Sequence, residues 1–184
     1  MKKLALFDLD GTLFNTNDVN YFAYNEALKE KGFNVQYDYY CNYCNGRHYT
    51  VFLPDIVDND EEIIEYVHNR KKELYYTFLD KAIVNEHLFN IIKCLKKDYY
   101  VAVVTTASKR NTYEILDYFK KRELFDLILT SDDIKVSKPD PEGFIAAMKY
   151  FGVDSEDTLI FEDSPVGIEA ANRSGATVFV VNKF

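Results

Sequence analysis

KKLALFDLDGTLF, residues 2–14, carries an apolar run from Leu4 to Phe7 that stops at Asp8 and passes through a second aspartate, Asp10, into Gly11. Four apolar residues without polar alternation suit a strand buried on both faces, as in a parallel sheet covered by helices on each side. In such a sheet, ligands bind outside the carboxyl ends of the strands. Asp8 and Asp10 therefore stand where a ligand is expected. Two like charges this close repel, so one is protonated or a cation lies nearby.

Working outward, four more apolar runs read as strands: Val101 to Thr105, Leu127 to Leu129, Thr158 to Phe161 and Thr177 to Val181. Helical stretches separate them, Asn111 to Arg122, Pro141 to Phe151 and Pro165 to Ser174, giving a β-α-β-α-β-α-β order. The pairs Asp140-Pro141 and Ser164-Pro165 each read as a capping residue followed by proline at the first helical position, where its missing N–H is harmless. Gly152 and Gly175 stand just past the helix ends, the usual left-handed stop. The expected fold is α/β, a Rossmann-like doubly wound parallel sheet.

Between the first and second runs, residues 15 to 98 contain no strand pattern but three amphipathic helical faces. These are Val19, Phe22, Ala23 and Ala27, ended by Gly32; Ile64, Val67, Leu74, Tyr75 and Phe78; and Leu88, Ile91, Ile92 and Leu95. A plain crossover needs far fewer residues, so the stretch reads as an inserted α-helical cap with hinges near residues 15–17 and 83–86. The expected division is a core of residues 1–14 and 96–184, with a cap of residues 15–95.

The 184 residues suffice for one well-buried core and an inserted lobe. With 47% hydrophobic and 28% charged residues the composition is that of an ordinary globular protein, and no apolar stretch approaches the roughly 18 residues of a membrane span. Residues 2–7 start like a signal peptide, but the apolar part is too short and two aspartates follow. Three cysteines, Cys41, Cys44 and Cys94, form an odd set without a disulfide framework, which points to a reducing compartment and the cytoplasm. A net charge of −8 disfavours a nucleic-acid backbone as partner, whereas a small anionic substrate is compatible if a metal and local cations reverse the field. Oligomeric state is not legible, although one core with a lobe suits a monomer.

The rule that places ligands at strand ends gathers Asp8 and Asp10, Thr105 and Thr106, Glu162 and Asp163, with Lys138 in the loop after the third run. A hard divalent ion with oxygen ligands resolves the repulsion between the acids, and Mg2+ needs few carboxylates because it retains water and takes phosphate oxygens. One carboxylate can then accept a phosphoryl group while the other protonates the leaving oxygen and activates water. Lys138 supplies a fixed positive charge, and the hydroxyl of Thr105 or Thr106 with nearby N–H groups can hold the remaining oxygens.

DLDGT (8–12), the strand ending at Thr105, KPDPEGF (138–144) and FEDSPVGIEAA (161–171) resemble, in order, the four motifs of the haloacid dehalogenase superfamily. The resemblance covers residues 1–14 and about 96–184 and implies a Rossmann-like core. It implies that Asp8 is the nucleophile, Asp10 the general acid/base, and that Mg2+ is held by the Asp8 side chain, the Asp10 main-chain carbonyl and Asp163, sometimes with Glu162. The second aspartate points to phosphate esters, since the metal-free dehalogenases and the phosphonoacetaldehyde hydrolases lack it. The insertion is similar to the helical cap of the subgroup containing phosphoglycolate phosphatases and β-phosphoglucomutase. CNGRHYTVF (44–52) resembles a cap loop in which a glycine and a basic group face the substrate, which nominates Arg47, then Gly46 and His48.

Two positions depart from the common pattern, Asn15 after DGTL and Asn85-Glu86 in place of Pro-Gly. The expectation is a Mg2+-dependent phosphatase acting on a small phosphorylated metabolite through an aspartyl phosphate. The alternatives are a phosphomutase of the β-phosphoglucomutase type and a non-catalytic binding protein. The 15 tyrosines read chiefly as packing residues, and His68 and His87 carry no assigned role.

Overall fold

The computed structural model describes residues 2–182. In chain order the elements are β1 (Lys3–Phe7), β2 (Phe14–Asn15), α1 (Asn17–Lys29), α2 (Tyr37–Tyr39), α3 (Tyr49–Ile56), α4 (Glu61–Leu74), β3 (Ile83–Val84), α5 (Glu86–Leu95), β4 (Tyr99–Val104), α6 (Lys109–Tyr118), β5 (Leu127–Leu129), α7 (Glu142–Phe151), β6 (Thr158–Glu162), α8 (Pro165–Arg173) and β7 (Thr177–Val180). A π-helical turn, Tyr40–Cys44, follows α2, and a 3-10 stretch, Tyr75–Lys81, follows α4. None of these helices is long and apolar enough to cross a membrane.

The chain divides into two compact units, one running up to Asn15 and resuming at Ile83, the other Thr16–Ala82. In the first, five parallel strands stand in the order β5-β4-β1-β6-β7, so the strand order reverses direction beside β1. This is the doubly wound arrangement expected from the apolar runs. Leu4 to Phe7 are fully buried, as a strand covered on both faces must be. On one face Leu4, Leu6, Ala102, Val104 and Ile160 form a single cluster with Phe144, Ala147 and Met148 of α7 and Ala170 and Ala171 of α8.

The cap limits expected from sequence differ from this division. Helix α5 groups with the sheet unit, although residues 86–95 read as part of the inserted lobe. Its buried residues are Leu88, Phe89 and Ile92, and the Phe89 ring meets Phe14 and Phe125, both of the sheet unit. Of the face expected from periodicity, Leu88 and Ile92 are buried, whereas Ile91 is exposed and Phe89 takes its place, and the pattern carried no information about what covers the helix. The insertion also holds strand structure at its roots: β2 and β3 pair antiparallel, Phe14 opposite Val84 and Asn15 opposite Ile83. Two-residue strands are too short to leave a periodic signal.

The helix starts follow their signals with one difference. Ser164 accepts the Gly167 N–H at 3.1 Å with Pro165 in the first turn of α8. Pro141 occupies the cap position of α7 itself, and the Asp140 carboxylate accepts the Glu142 N–H at 2.9 Å. Gly152 closes α7 at φ 64° and Gly175 follows α8 at φ 83°, the left-handed stops their positions suggested.

The second unit, Thr16–Ala82, has its own core, in which Tyr24, Leu28, Tyr40, Phe52, Leu53, Val57, Ile64 and Val67 cluster. Tyr24, Tyr40 and Phe52 meet edge to face or tilted. Much of the tyrosine content here is packing.

Candidate active site

The aspartates of DLDGT end β1 and turn the chain sharply. Leu9 O accepts the N–H groups of both Leu13 and Phe14 at 3.0 Å, and Gly11 donates to Phe14 O at 2.7 Å. Gly11 has φ 90°, which side-chain-bearing residues rarely adopt. A Cβ there would also collide with the Asp163 carboxylate. The glycine thus serves both the turn and the close approach of an acid from β6's end.

Lys138, carried by the loop between β5 and α7, is the hub. Its Nζ donates to Asp8 Oδ1 at 2.5 Å, to Glu162 Oε1 at 2.7 Å and to the Val104 carbonyl at 3.2 Å, using all three ammonium donors. The side chain is 6% exposed, and the partner carboxylates of Asp8 and Glu162 are 9% and 0% exposed. Burial works against this ammonium, but the charges of Asp8 and Glu162 outweigh it and hold the lysine above its ordinary pKa. Burial pushes Asp8 well above the usual carboxylate range, against the attraction of Lys138, and the charges of Glu162 and Asp10 add to the rise.

Glu162, the last residue of β6, is held on every side. Its Oε2 accepts the N–H groups of Asp163 and Ser164 at 2.7 and 2.8 Å and the Ser164 hydroxyl at 3.1 Å. The carboxylate thereby sits beneath the N-terminus of α8, where the exposed N–H groups favour an anion. Asp163 accepts the Thr12 hydroxyl at 2.9 Å, and burial pushes its carboxyl up to about 6.

Asp8, Glu162 and Asp163 offer carboxylate oxygens all within 4.8 Å of one another. Asp8 and Glu162 are buried and Asp163 partly so, and the three acids outnumber the one ammonium; burial first, and then the charge of Glu162, holds the carboxyls of Asp8 and Asp163 above their ordinary pKa. A divalent cation would balance the excess negative charge, and an all-oxygen donor set suits Mg2+. The residues present fit the metal.

The other expected residues fall as follows. Asp10 is partly buried in the turn and bridges backbone-wise to Phe14. Thr105 is buried one residue beyond β4, its N–H donating to Leu129 O and its Oγ1 accepting the Ala107 N–H at 3.0 Å, while Thr106 is exposed. Of the two hydroxyls, only that of Thr105 is built into the strand-end turn. Gly46 and Arg47 lie in the second unit, exposed, in a turn where Arg47 N donates to Cys44 O and Gly46 has φ 75°. His48 faces Thr50 through Nδ1 at 2.8 Å.

Sequence reading assigned no site role to Thr12, the Val104 carbonyl or Gly167, and it placed Ser164 as a helix cap without its bonds to Glu162. Gly167 is the most informative, because a Cβ at this position would overlap the Glu162 carboxylate. A glycine in a helix's first turn, three residues after a capping serine, was the available signal.

Comparisons with known proteins bear on the family and the fold. The family model described as "Haloacid dehalogenase-like hydrolase" matches residues 5–181. A validoxylamine A 7'-phosphate phosphatase of Streptomyces hygroscopicus subsp. limoneus is 30% identical over 95% of this chain and 83% of its own. A phosphorylated carbohydrates phosphatase of Thermotoga maritima is 26% identical over 93% of this chain and 81% of its own. Among solved structures, CbbY from Rhodobacter sphaeroides in complex with phosphate superposes with TM-score 0.86 at 24% identity, covering 100% of this chain and 88% of that one, a likeness of fold. With a matching family model over nearly its whole length and the acids and lysine of its motifs gathered at one sheet edge, the chain belongs to the haloacid dehalogenase-like hydrolase family.

Proposed function

We propose that this protein is a Mg2+-dependent phosphatase that hydrolyses a small phosphomonoester through an aspartyl phosphate on Asp8. The observation that carries the reading is the cluster at the end of β1, in which Asp8, Glu162 and the partly buried Asp163 bring carboxylate oxygens within 4.8 Å of one another and the Lys138 ammonium is shared by Asp8 and Glu162. The names of the relatives, which act on phosphorylated compounds, support the phosphoester class.

In this reading Lys138 restrains one oxygen of Asp8 and the other attacks phosphorus. The bond from phosphorus to the leaving oxygen breaks as Asp10 donates a proton to that oxygen. Asp10, now ionised, takes a proton from water, which attacks the phosphoryl group on Asp8, breaks its bond to the carboxylate and releases inorganic phosphate. Thr105 and the N–H groups of the turn after β4 hold the equatorial oxygens, with Thr106 beside them. The Asp8 side chain, the Asp10 main-chain carbonyl and Asp163 would hold Mg2+, which when bound neutralises charge on the transferring phosphoryl group. Glu162, whose oxygens already take Lys138 and the start of α8, is assigned to fixing the lysine rather than to the metal. Substrate choice is assigned to the inserted helical unit, with Arg47 and Gly46 as its first candidates.

The test is hydrolysis of p-nitrophenyl phosphate with Mg2+, with EDTA, and by Asp8→Asn. Turnover that needs the metal and vanishes in the variant is expected; full activity in Asp8→Asn would overturn the mechanism. Incubation with glucose 1-phosphate separates the mutase, which returns an isomerised sugar phosphate, from the hydrolase, which releases inorganic phosphate.

A further inference from the structure

Lys138 reaches its three acceptors from a loop, and a loop does not by itself hold an ammonium to a few tenths of an ångström. The residue that fixes the loop lies four positions further on. Glu142, in the first turn of α7, turns its carboxylate back so that Oε1 accepts the Lys135 N–H at 3.1 Å and Oε2 the Val136 N–H at 2.9 Å. Its own N–H is taken by Asp140 at 2.9 Å. The segment from Lys135 to Glu142 is thus closed into a ring with Lys138 near its middle. The helix that carries Glu142 is itself anchored, because Phe144 and Ala147 lie in the sheet's core and the Phe144 ring sits 5.1 Å below the Lys138 ammonium. A second tie comes from α8, where Arg173 donates to Pro139 O at 2.9 Å.

We propose that Glu142 is a positioning residue for the reaction: by holding two successive N–H groups of the loop, it sets the reach of Lys138 toward Asp8. The inference rests on the phosphatase reading above. A carboxylate is suited to this because its two oxygens accept two parallel N–H bonds, and charge-assisted bonds of this kind exceed neutral ones in strength. The position at a helix N-terminus favours the anion as well. Glu142 touches neither Asp8 nor the other acids in the contacts described, so its effect passes through the loop.

The test compares Glu142→Ala and Glu142→Gln with the wild type by steady-state hydrolysis of p-nitrophenyl phosphate under saturating Mg2+. It also follows the Lys138 ammonium resonance in 15N-lysine-labelled protein, assigned by its loss in Lys138→Ala. In Glu142→Ala, kcat is expected to fall about tenfold or more, with KM within about twofold, because displacement of a fixed charge by even an ångström affects the chemical step before binding. The Lys138 resonance should shift or broaden. Glu142→Gln, which keeps one acceptor oxygen and the side-chain shape, should fall between the two and serves alone if the alanine variant does not fold. A variant whose kcat matches the wild type overturns the proposal, as does a fallen kcat with an unmoved Lys138 resonance. If the wild type shows no turnover, the phosphatase reading fails, and the Lys138 resonance alone decides whether Glu142 sets the lysine.

Discussion

Among single residues, Gly167 shows how far the site depends on what is absent from a side chain. Glu162 can lie under the first turn of α8 and still reach Lys138 because no Cβ occupies the space its carboxylate fills. Gly167→Ala forces the carboxylate, the helix or both to move. Overpacking of this kind costs about 1–3 kcal/mol of stability. Because the displaced carboxylate is the second anchor of Lys138, kcat on p-nitrophenyl phosphate should also fall on the order of tenfold, with KM little changed. Thermal unfolding and steady-state rates on the purified variant check both parts; an unaltered kcat would show that Glu162 does not govern the lysine. The aspartates, the lysine and the Glu162-Asp163 pair were legible in the sequence because each ends an apolar run or follows one. Gly167 was not, since a helical glycine announces a close approach without saying to what.

For whole elements, boundaries were the part that sequence left open. The β2–β3 ribbon at the roots of the insertion is two residues long, and its partners lie 68 positions apart by the pairing of Asn15 with Ile83. Asn85, a departure from the common pattern, has a local explanation. Its side chain accepts the Leu88 N–H at 3.1 Å as the cap of α5 and donates to Thr12 O at 3.1 Å, tying the ribbon to the DLDGT turn. An asparagine can make both bonds; a proline there could make neither. In the second unit, α4 carries a titratable group no motif indicated. His68 stacks on Tyr49 with centroids 3.6 Å apart, its Nδ1 is buried with no hydrogen-bond partner among the described residues, and burial together with the charge of Lys72 lowers its pKa from 6.5 to about 4. The unfolded chain therefore takes up this proton at higher pH than the folded one. The contribution of His68 is fully present above pH 6.5 and is lost as the pH falls from there toward 4. His68→Phe keeps a ring on Tyr49 but cannot titrate. The apparent Tm of the wild type should drop more steeply between pH 7 and 5 than that of the variant. Parallel slopes in a series of melts would mean that the histidine is solvated in both states.

For the molecule as a whole, two separate hydrophobic clusters bear on whether the parts fold alone. The sheet unit buries Leu4, Leu6, Val104, Phe144 and Ile160 together, and the inserted unit buries Leu28, Tyr40, Leu53 and Val67 together. The sequence indicated an insertion because no single crossover needs so many residues, and it indicated the sheet through continuous apolar runs. It could not indicate that the insertion is closed off by a paired ribbon, because register between distant strands is set by tertiary packing rather than by local pattern. That register makes a specific replacement possible. Asn15 and Ile83 oppose each other in an antiparallel pair, so an Asn-Gly turn in place of Thr16–Ala82 would close β2 and β3 as an ordinary two-residue hairpin. The shortened chain keeps Asp8, Asp10, Thr105, Lys138, Glu162 and Asp163, and its loop-closure cost is lower than that of the full chain. It should fold cooperatively, with dispersed amide resonances and the same Lys138 ammonium signal. If substrate choice resides in the excised unit, the hydrolysis of p-nitrophenyl phosphate should fall less than that of the preferred metabolite. Collapsed amide dispersion would show that the sheet unit depends on the insertion for its stability, and an unchanged ratio of the two rates would place specificity in the sheet unit instead.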